Sequence, residues 1–253
     1  MTAIAAEFRG VPAEFHESID STNEEALRRA AAGAPEGLVI VAERQTAGRG
    51  RLGRSWWDAP GSSLLFSILL RPSIDIARWP LLGIAMACAV AEAGSEAAAA
   101  TLDVKWPNDV LHAGRKLCGV LAESRVPSPG SPALVVGAGI NVNQLGADYP
   151  DELRERATSL RVAAGGGLID TRALLAATLG RYGRYLEIAR GEGAAALRRA
   201  VDGRLPTRGT PVRVLVGERR LIGTIEEITD TGALRLRLDS DGSLTTVTAG
   251  ELE

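Results

Sequence analysis

LDVKWPNDVLHAGRKLCGVLAESRVPSPGSPALVVGAGINVN, residues 102–143, holds the alternation that decides the fold. Leu102 to Trp106, Lys116 to Ser124 and Ala133 to Asn143 alternate or run apolar over strand lengths, and the turn formers Pro107-Asn108-Asp109 and Pro127 to Pro132 separate them. A hairpin-like pairing returns Lys116 toward Asn108 and Asp109, so that Lys105 and Lys116 face one place. Toward the N-terminus, Leu64 to Arg71, Leu38 to Glu43 and Glu14 to Ile19 also read as strands. Ser21-Thr22-Asn23-Glu24-Glu25 opens a helix running to Gly33, with S-x-x-E and T-x-x-E both available as capping boxes. Trp79 to Ala93 is an Ala-rich helix suited to a core. The class is α+β, built on a mixed sheet.

Toward the C-terminus the pattern changes. Asp170 to Arg190 and Gly193 to Val201 carry helical spacing. From Leu205 onward VRVLV, RLIGTIEEI, ALRLRL and LTTVT are short period-2 strands with Gly- and Asp-rich turns between them, the pattern of a small β-barrel. A length of 253 residues suits a large domain plus a small one, with bounds 1–204 and 205–253.

Composition narrows the function classes. With 45% apolar and 24% charged residues the chain carries enough material for a core. A formal charge of −2, and six arginines against eight acids after Leu205, offer no general attraction to nucleic acid or anionic lipid. The longest uncharged apolar stretch, Trp79 to Ala91, contains Pro80 and Gly83 and is too short to cross a bilayer, and the first residues show no export signal, so a cytoplasmic address is expected. Two cysteines and two histidines are too few for a structural zinc site.

Of the 29 basic residues only Lys105 and Lys116 are lysines. An ammonium is a compact point charge that a guanidinium fork does not reproduce, so these two positions are candidates for chemistry; solvation at a strand edge is the plainer reading of Lys105. Residues 45–63, QTAGRGRLGRSWWDAPGSS, form a loop of the length usually reserved for function. Gly48 to Gly53 matches G-x-G-x-x-G, but Arg54-Ser55-Trp56-Trp57-Asp58-Ala59-Pro60 cannot open the helix a dinucleotide fold requires. Arg44, Arg49, Arg51 and Arg54 have no acid among them, so the expected partner is an anion such as phosphate, held by guanidinium forks and glycine N–H groups. The alternative is a solvated basic loop, against which stand two indoles, Trp56 and Trp57, that need a surface to cover. Gly137-Ala138-Gly139-Ile140-Asn141 puts small residues on a strand, either for a ligand with Asn141 reading it or for a crossing helix.

Ser21-Thr22-Asn23, Gln45-x-x-Gly48-Arg49-Gly50-Arg51-x-Gly53-Arg54-x-Trp56, Lys105-Trp106-Pro107-Asn108-Asp109, Arg115-Lys116-Leu117-x-Gly119 and Gly139-Ile140-Asn141, in this order, resemble the biotin protein ligases. The resemblance runs from about residue 10 to 253 and departs at Cys118, where the family usually has Ala. Only about fifteen residues precede the catalytic fold, so the monofunctional type without a DNA-binding domain is expected. The fold it implies is that of class II synthetases and biotin/lipoate ligases. The activity it implies is two-step: biotin and magnesium-ATP give biotinyl-5′-adenylate, and a lysine of a biotin carboxyl carrier domain, as in acetyl-CoA carboxylase, takes the biotinyl group.

The resemblance also assigns roles. Lys116 bridges the biotin carboxylate and the α-phosphate, and Arg51, with Arg49 and Gly50, clamps the mixed anhydride. Ser21, Thr22, Asn23, Gln45 and Gly119 hold biotin. Trp56 covers the adenine and Asn141 hydrogen-bonds it, Asn108 lies by the phosphates, and Arg54 and Lys105 also bind ATP. Asp109 lies near magnesium and orients the incoming amine. A monomer or homodimer, no DNA and no membrane complete the expectation. A lipoate ligase and a non-enzymatic nucleic-acid-binding module are the competing readings.

Overall fold

The computed structural model describes residues 7–125, 132–206 and 208–253. Along the chain run β1 (Glu7–Phe8), β2 (Val11–Ile19), α1 (Thr22–Ala31), β3 (Val39–Gln45), β4 (Ser63–Leu70), α2 (Pro80–Ala98), β5 (Asp103–Lys105), β6 (Asp109–His112), β7 (Arg115–Arg125) and β8 (Ala133–Asn141). There follow α3 (Asp151–Arg154), α4 (Leu160–Ala163), α5 (Thr171–Gly191), α6 (Ala194–Asp202), β9 (Pro211–Val216), β10 (Arg219–Ile228), β11 (Leu234–Leu238), β12 (Leu244–Val247) and β13 (Glu251–Leu252). The expected turn at Pro127 to Pro132 lies, apart from Pro132, outside the described residues.

The first eight strands form one mixed sheet in the order β1-β2-β3-β4-β8-β7-β6-β5. Its parallel pair is β2–β3, for which α1 is the crossover. Strand alternation sends Leu38, Ile40, Leu69 and Val135 toward α1, and Val39, Val41, Phe66, Ile68, Leu134 and Val136 toward α2. Central β4, SLLFSILL, is buried at every position because both of its faces are covered. Each such Leu, Ile or Phe withdrawn from water stabilises the fold by roughly 1.5–3 kcal/mol.

Helix α2 is buried from Leu81 to Ala91 between β7 and α5. By length and composition alone, Ile76–Ala98 is long and apolar enough to cross a membrane, which corrects the shorter span read from the sequence. Its burial against the sheet and α5 places it instead as a core helix. The Ala-rich surface lets α5 approach closely, and the Tyr182 hydroxyl donates to the Leu82 carbonyl at 3.2 Å.

The C-terminal strands form a second, antiparallel sheet in the order β12-β11-β10-β9-β13. Four of the strands are those expected and β13 is an addition, and they lie in an open ladder: the edge strands β12 and β13 are four and two residues long and do not pair with one another. The turn at Gly232 anchors this sheet to the first, its carbonyl accepting from Trp106 Nε1 at 2.9 Å, and Arg78 pairs with Asp230 at 3.3 Å. That anchorage carries Gly250 and Glu251 to the mouth of a cavity on the α1 face of the large sheet.

Candidate functional site

The cavity, open to solvent at its mouth, lies where α1 begins. Its floor is a cross-strand row. Leu65 pairs with Gly139, Gly139 with Gly119, Gly119 with Asp109, and Asp109 with Lys105. Two adjacent glycines in such a row leave a trough with no Cβ in it. The Trp56 indole lies there: a Cβ on Gly139 would fall 2.5 Å from its Cε2 and one on Gly119 3.0 Å from its Cζ3.

Lys116 reaches this face through a bulge. Strict alternation from Gly119 would send Lys116 toward α2, but the β6–β7 register shifts between Val110 and Leu111, so that Val110 pairs with Cys118 and Leu111 with Lys116. The extra residue, Leu117, is buried in the core, and the Lys116 ammonium swings to 2.7 Å from Asp109 Oδ1 and 5.7 Å from the centre of the Trp56 ring. The displaced backbone is tied elsewhere: Lys116 N–H donates to the Arg156 carbonyl at 2.8 Å and its carbonyl accepts from Thr158 N–H at 2.9 Å.

The inner wall is a polar chain at the N-terminus of α1. Gln45 Oε1 accepts from Thr22 N–H (2.8 Å) and from the Thr22 hydroxyl (3.0 Å). A backbone N–H only donates, so the Gln45 amide is oriented with its NH2 group as the remaining donor. The Ser67 hydroxyl donates to Asn23 Oδ1 (2.6 Å), while Asn23 Nδ2 donates to the Leu121 carbonyl (3.2 Å) and to Glu123 Oε2 (2.8 Å). Asn23 therefore presents an acceptor and Gln45 a donor. The expected capping boxes do not form. Ser21 makes no side-chain cap, because Glu25 is held by Arg28 and Arg29 and Glu24 by Arg49, and Gln45 takes the Thr22 N–H instead.

Residues 48–56 close over the mouth as a small hairpin, with Trp56 N–H donating to the Gly48 carbonyl at 2.9 Å and Gly50 N–H to the Arg54 carbonyl at 2.7 Å. Leu52, at its tip, has φ of 57°. The arginines here do not share one missing anion as the local sequence suggests. Arg49 pairs with Glu24 (2.5 Å) and Glu123 (2.7 Å), and Arg54 with Glu251 (2.7 Å). Arg51 alone of these three meets neutral oxygens, donating to Asn108 Oδ1 (3.0 Å) and the Gly250 carbonyl (3.4 Å). Burial pushes the Arg51 pKa below its ordinary value, with Asp109 and Glu251 opposing, so this guanidinium is the one placed to gain most from an incoming anion.

Residues 15–141 match the model of the biotin/lipoate A/B protein ligase family. The chain is 36% identical over 238 residues to the biotin–[acetyl-CoA-carboxylase] ligase of Mycobacterium tuberculosis, covering 92% of this chain and 85% of that one. The chain belongs to the biotin/lipoate A/B protein ligase family. The biotin protein ligase of Aquifex aeolicus, solved with biotin and ATP, superposes with a TM-score of 0.77 at 29% identity, over 95% of this chain and 97% of that one. The bifunctional ligase/repressor BirA of Bacillus subtilis is 43% identical over 151 residues, 60% of this chain; that match spans about half of the relative's length, 46%.

For this member of the family, the cavity brings together Ser21, Thr22, Asn23, Gln45, Arg49, Gly50, Arg51, Arg54, Trp56, Lys105, Asn108, Asp109, Lys116 and Gly119, every site residue expected from the sequence but one. Asn141 is the exception. It is buried beside the cavity with Nδ2 donating to the Thr158 carbonyl (3.0 Å) and Oδ1 facing Gln144 Nε2 (3.4 Å), so its amide is engaged inside the protein. Sequence reasoning missed Ser67, Glu123 and Glu251, which meet the site only through sheet register or through the second sheet.

The trough itself is testable. Gly139→Ala is expected to evict the indole and raise trypsin cleavage of ligand-free residues 48–56 by at least about fivefold, the change that a loss of roughly 1 kcal/mol in closure permits. Unchanged cleavage and an unchanged melt together would show that Trp56 does not rest on Gly139.

Proposed function

We propose that the chain adenylates biotin with ATP and transfers the biotinyl group to a lysine of a biotin carboxyl carrier domain, as in acetyl-CoA carboxylase. The observation that carries this reading is the convergence, under one lid, of an amide-and-hydroxyl wall, an unneutralised guanidinium and the Lys116 ammonium. A ureido ring offers one carbonyl acceptor and N–H donors, which the Gln45 donor and the Asn23 acceptor complement. Its valerate arm leads along the floor toward Lys116. There the carboxylate oxygen bonds to the α-phosphorus as the bond to pyrophosphate breaks. Afterwards the carrier amine bonds to the acyl carbon, AMP leaves and the amine loses its proton. Both steps gather negative charge, so Lys116 and Arg51, fixed beforehand by Asp109 and Asn108, stabilise the transition states more than the ground states. Trp56 supplies a face for the purine, and Arg54, Lys105 and Asn108 border the phosphates.

The donor set suits a magnesium ion carried in by the nucleotide. Asp109 and Glu251 line the cavity, each already paired with a cation, and the described residues contain no cluster of three metal-ligating side chains. Asp109 would be the protein's contact to it, and the bound ion would neutralise phosphate charge. A cytoplasmic location, no DNA partner and a monomeric or homodimeric state belong to the same reading.

Mass spectrometry of a carrier domain incubated with the protein, biotin and magnesium-ATP is expected to show one added biotinyl group, lost when biotin is replaced by lipoate. Modification by lipoate instead, or none by either acid, overturns the proposal. Biotin with ATP is also expected to slow trypsin cleavage within residues 44–57 by at least about tenfold, as closure over a bound adenylate would. Equal cleavage with and without ligands would remove the lid.

A further inference from the structure

We propose that Glu123 is a positioning residue that couples the inner wall of the cavity to closure of the lid. For its ligand the proposal rests on the biotin reading above. One carboxylate oxygen, Glu123 Oε2, accepts from Asn23 Nδ2 at 2.8 Å and from Arg49 Nη2 at 2.7 Å. The first donor belongs to the wall and the second to the hairpin, and β7 holds the carboxylate between them through its pairing of Glu123 with Val135. Glu24, on α1 next to Asn23, takes the other Arg49 nitrogen at 2.5 Å. Arg49 is therefore pinned to the body of the protein by two carboxylates, whereas Arg51, lining the same cavity, donates to neutral oxygens. This assigns Arg49 a different task from the anion clamp expected from the sequence.

The shared oxygen makes the two events reciprocal. When the hairpin lifts, Glu123 loses the cation that neutralises it, and its hold on the Asn23 amide changes. When a ligand engages Asn23 Oδ1, the amide is held in the orientation that keeps Glu123 under Arg49. A ligand at the wall then favours a closed lid, and a closed lid favours that ligand by the same factor. Couplings of this kind span about fivefold to a hundredfold.

Two variants of the full chain separate the two tasks. Glu123→Gln keeps an oxygen for the Asn23 amide and removes the charge facing Arg49; Glu123→Leu removes both. Trypsin cleavage after Arg49, Arg51 and Arg54 is measured without ligand and with saturating biotin, beside kcat and KM for biotin in pyrophosphate exchange. Glu123→Gln is expected to be cleaved at least about fivefold faster without ligand, to lose most of the protection biotin confers, and to raise the KM for biotin about fivefold, the loss of the coupling alone. Glu123→Leu is expected to show the same cleavage and a KM for biotin raised at least about tenfold, with a smaller change in kcat.

Wild-type cleavage of Glu123→Gln overturns the tie to the lid. A wild-type KM in Glu123→Leu overturns the tie to the wall. A general loss of structure would lower the melting temperature of both variants and move kcat and KM together, which also overturns the proposal. A wild-type chain with no biotin-dependent exchange would sink the biotin reading, while ligand-free cleavage of Glu123→Gln would still decide the tie between Glu123 and Arg49.

Discussion

Lys116→Arg is expected to cut biotin-dependent pyrophosphate exchange by at least about tenfold although it keeps the charge. The ammonium sits in a slot bounded by Asp109 Oδ1 at 2.7 Å, the face of Trp56 at 5.7 Å and Gly119, whose added Cβ would lie 3.3 Å from Nζ. A guanidinium is broader and planar. Its fork would either displace the indole or withdraw from the point where, in the proposed reaction, the carboxylate and α-phosphate meet. The pair with Asp109 is partly exposed and contributes little to stability, so the melting temperature should stay within a few degrees. Exchange at the wild-type rate, with folding intact, would remove Lys116 from the chemistry.

Gly137→Ala is expected to weaken biotin binding by at least about tenfold and to destabilise the fold by about 1–3 kcal/mol, the usual cost of overpacking. Gly137 pairs with Ser67 on one side and Leu121 on the other, directly beneath Asn23. An added Cβ would lie 2.0 Å from Asn23 Oδ1 and 2.8 Å from Ser67 Oγ, distances no structure tolerates. Asn23 must then leave the wall, taking with it the acceptor it presents and its bond to Glu123. Gly180→Ala, in a helix interior with nothing within 4 Å of the added carbon, is the control and should be neutral or mildly stabilising. Isothermal titration with biotin, beside thermal melts of both variants, checks the contrast; wild-type affinity in Gly137→Ala would show that Asn23 is not part of the biotin wall.

What could be read from the sequence follows the range of the forces involved. Strands β4, β7 and β8 were legible because alternation and apolar runs record which faces are covered, a property of each segment by itself. The convergence of the Lys105 and Lys116 segments was legible because the two lie close in sequence, although they meet across β6 and two turns and do not pair directly with one another. The bulge at Leu117 was not, since it depends on segment 156–158 lying alongside and bonding to Lys116. Nor was β6, four residues between two turns. The charge balance of the lid was misread for the same reason. Locally the arginines see only one another, whereas their carboxylates come from 74 positions away for Arg49 and 197 for Arg54. The helix caps failed because Glu24 serves the distant Arg49 and Glu25 the neighbouring Arg28 and Arg29.

The confinement of both lysines to the cavity leaves the rest of the molecule without ε-amines. Arginine supplies the remaining cationic side chains, and a guanidinium stays protonated near neutral pH and does not act as a nucleophile. In the proposed reaction, an acyl anhydride escaping from the mouth would therefore meet a surface that offers no side-chain amine to acylate. Self-labelling is reduced to the chain's α-amino group and to two amines that the same anhydride occupies before it leaves.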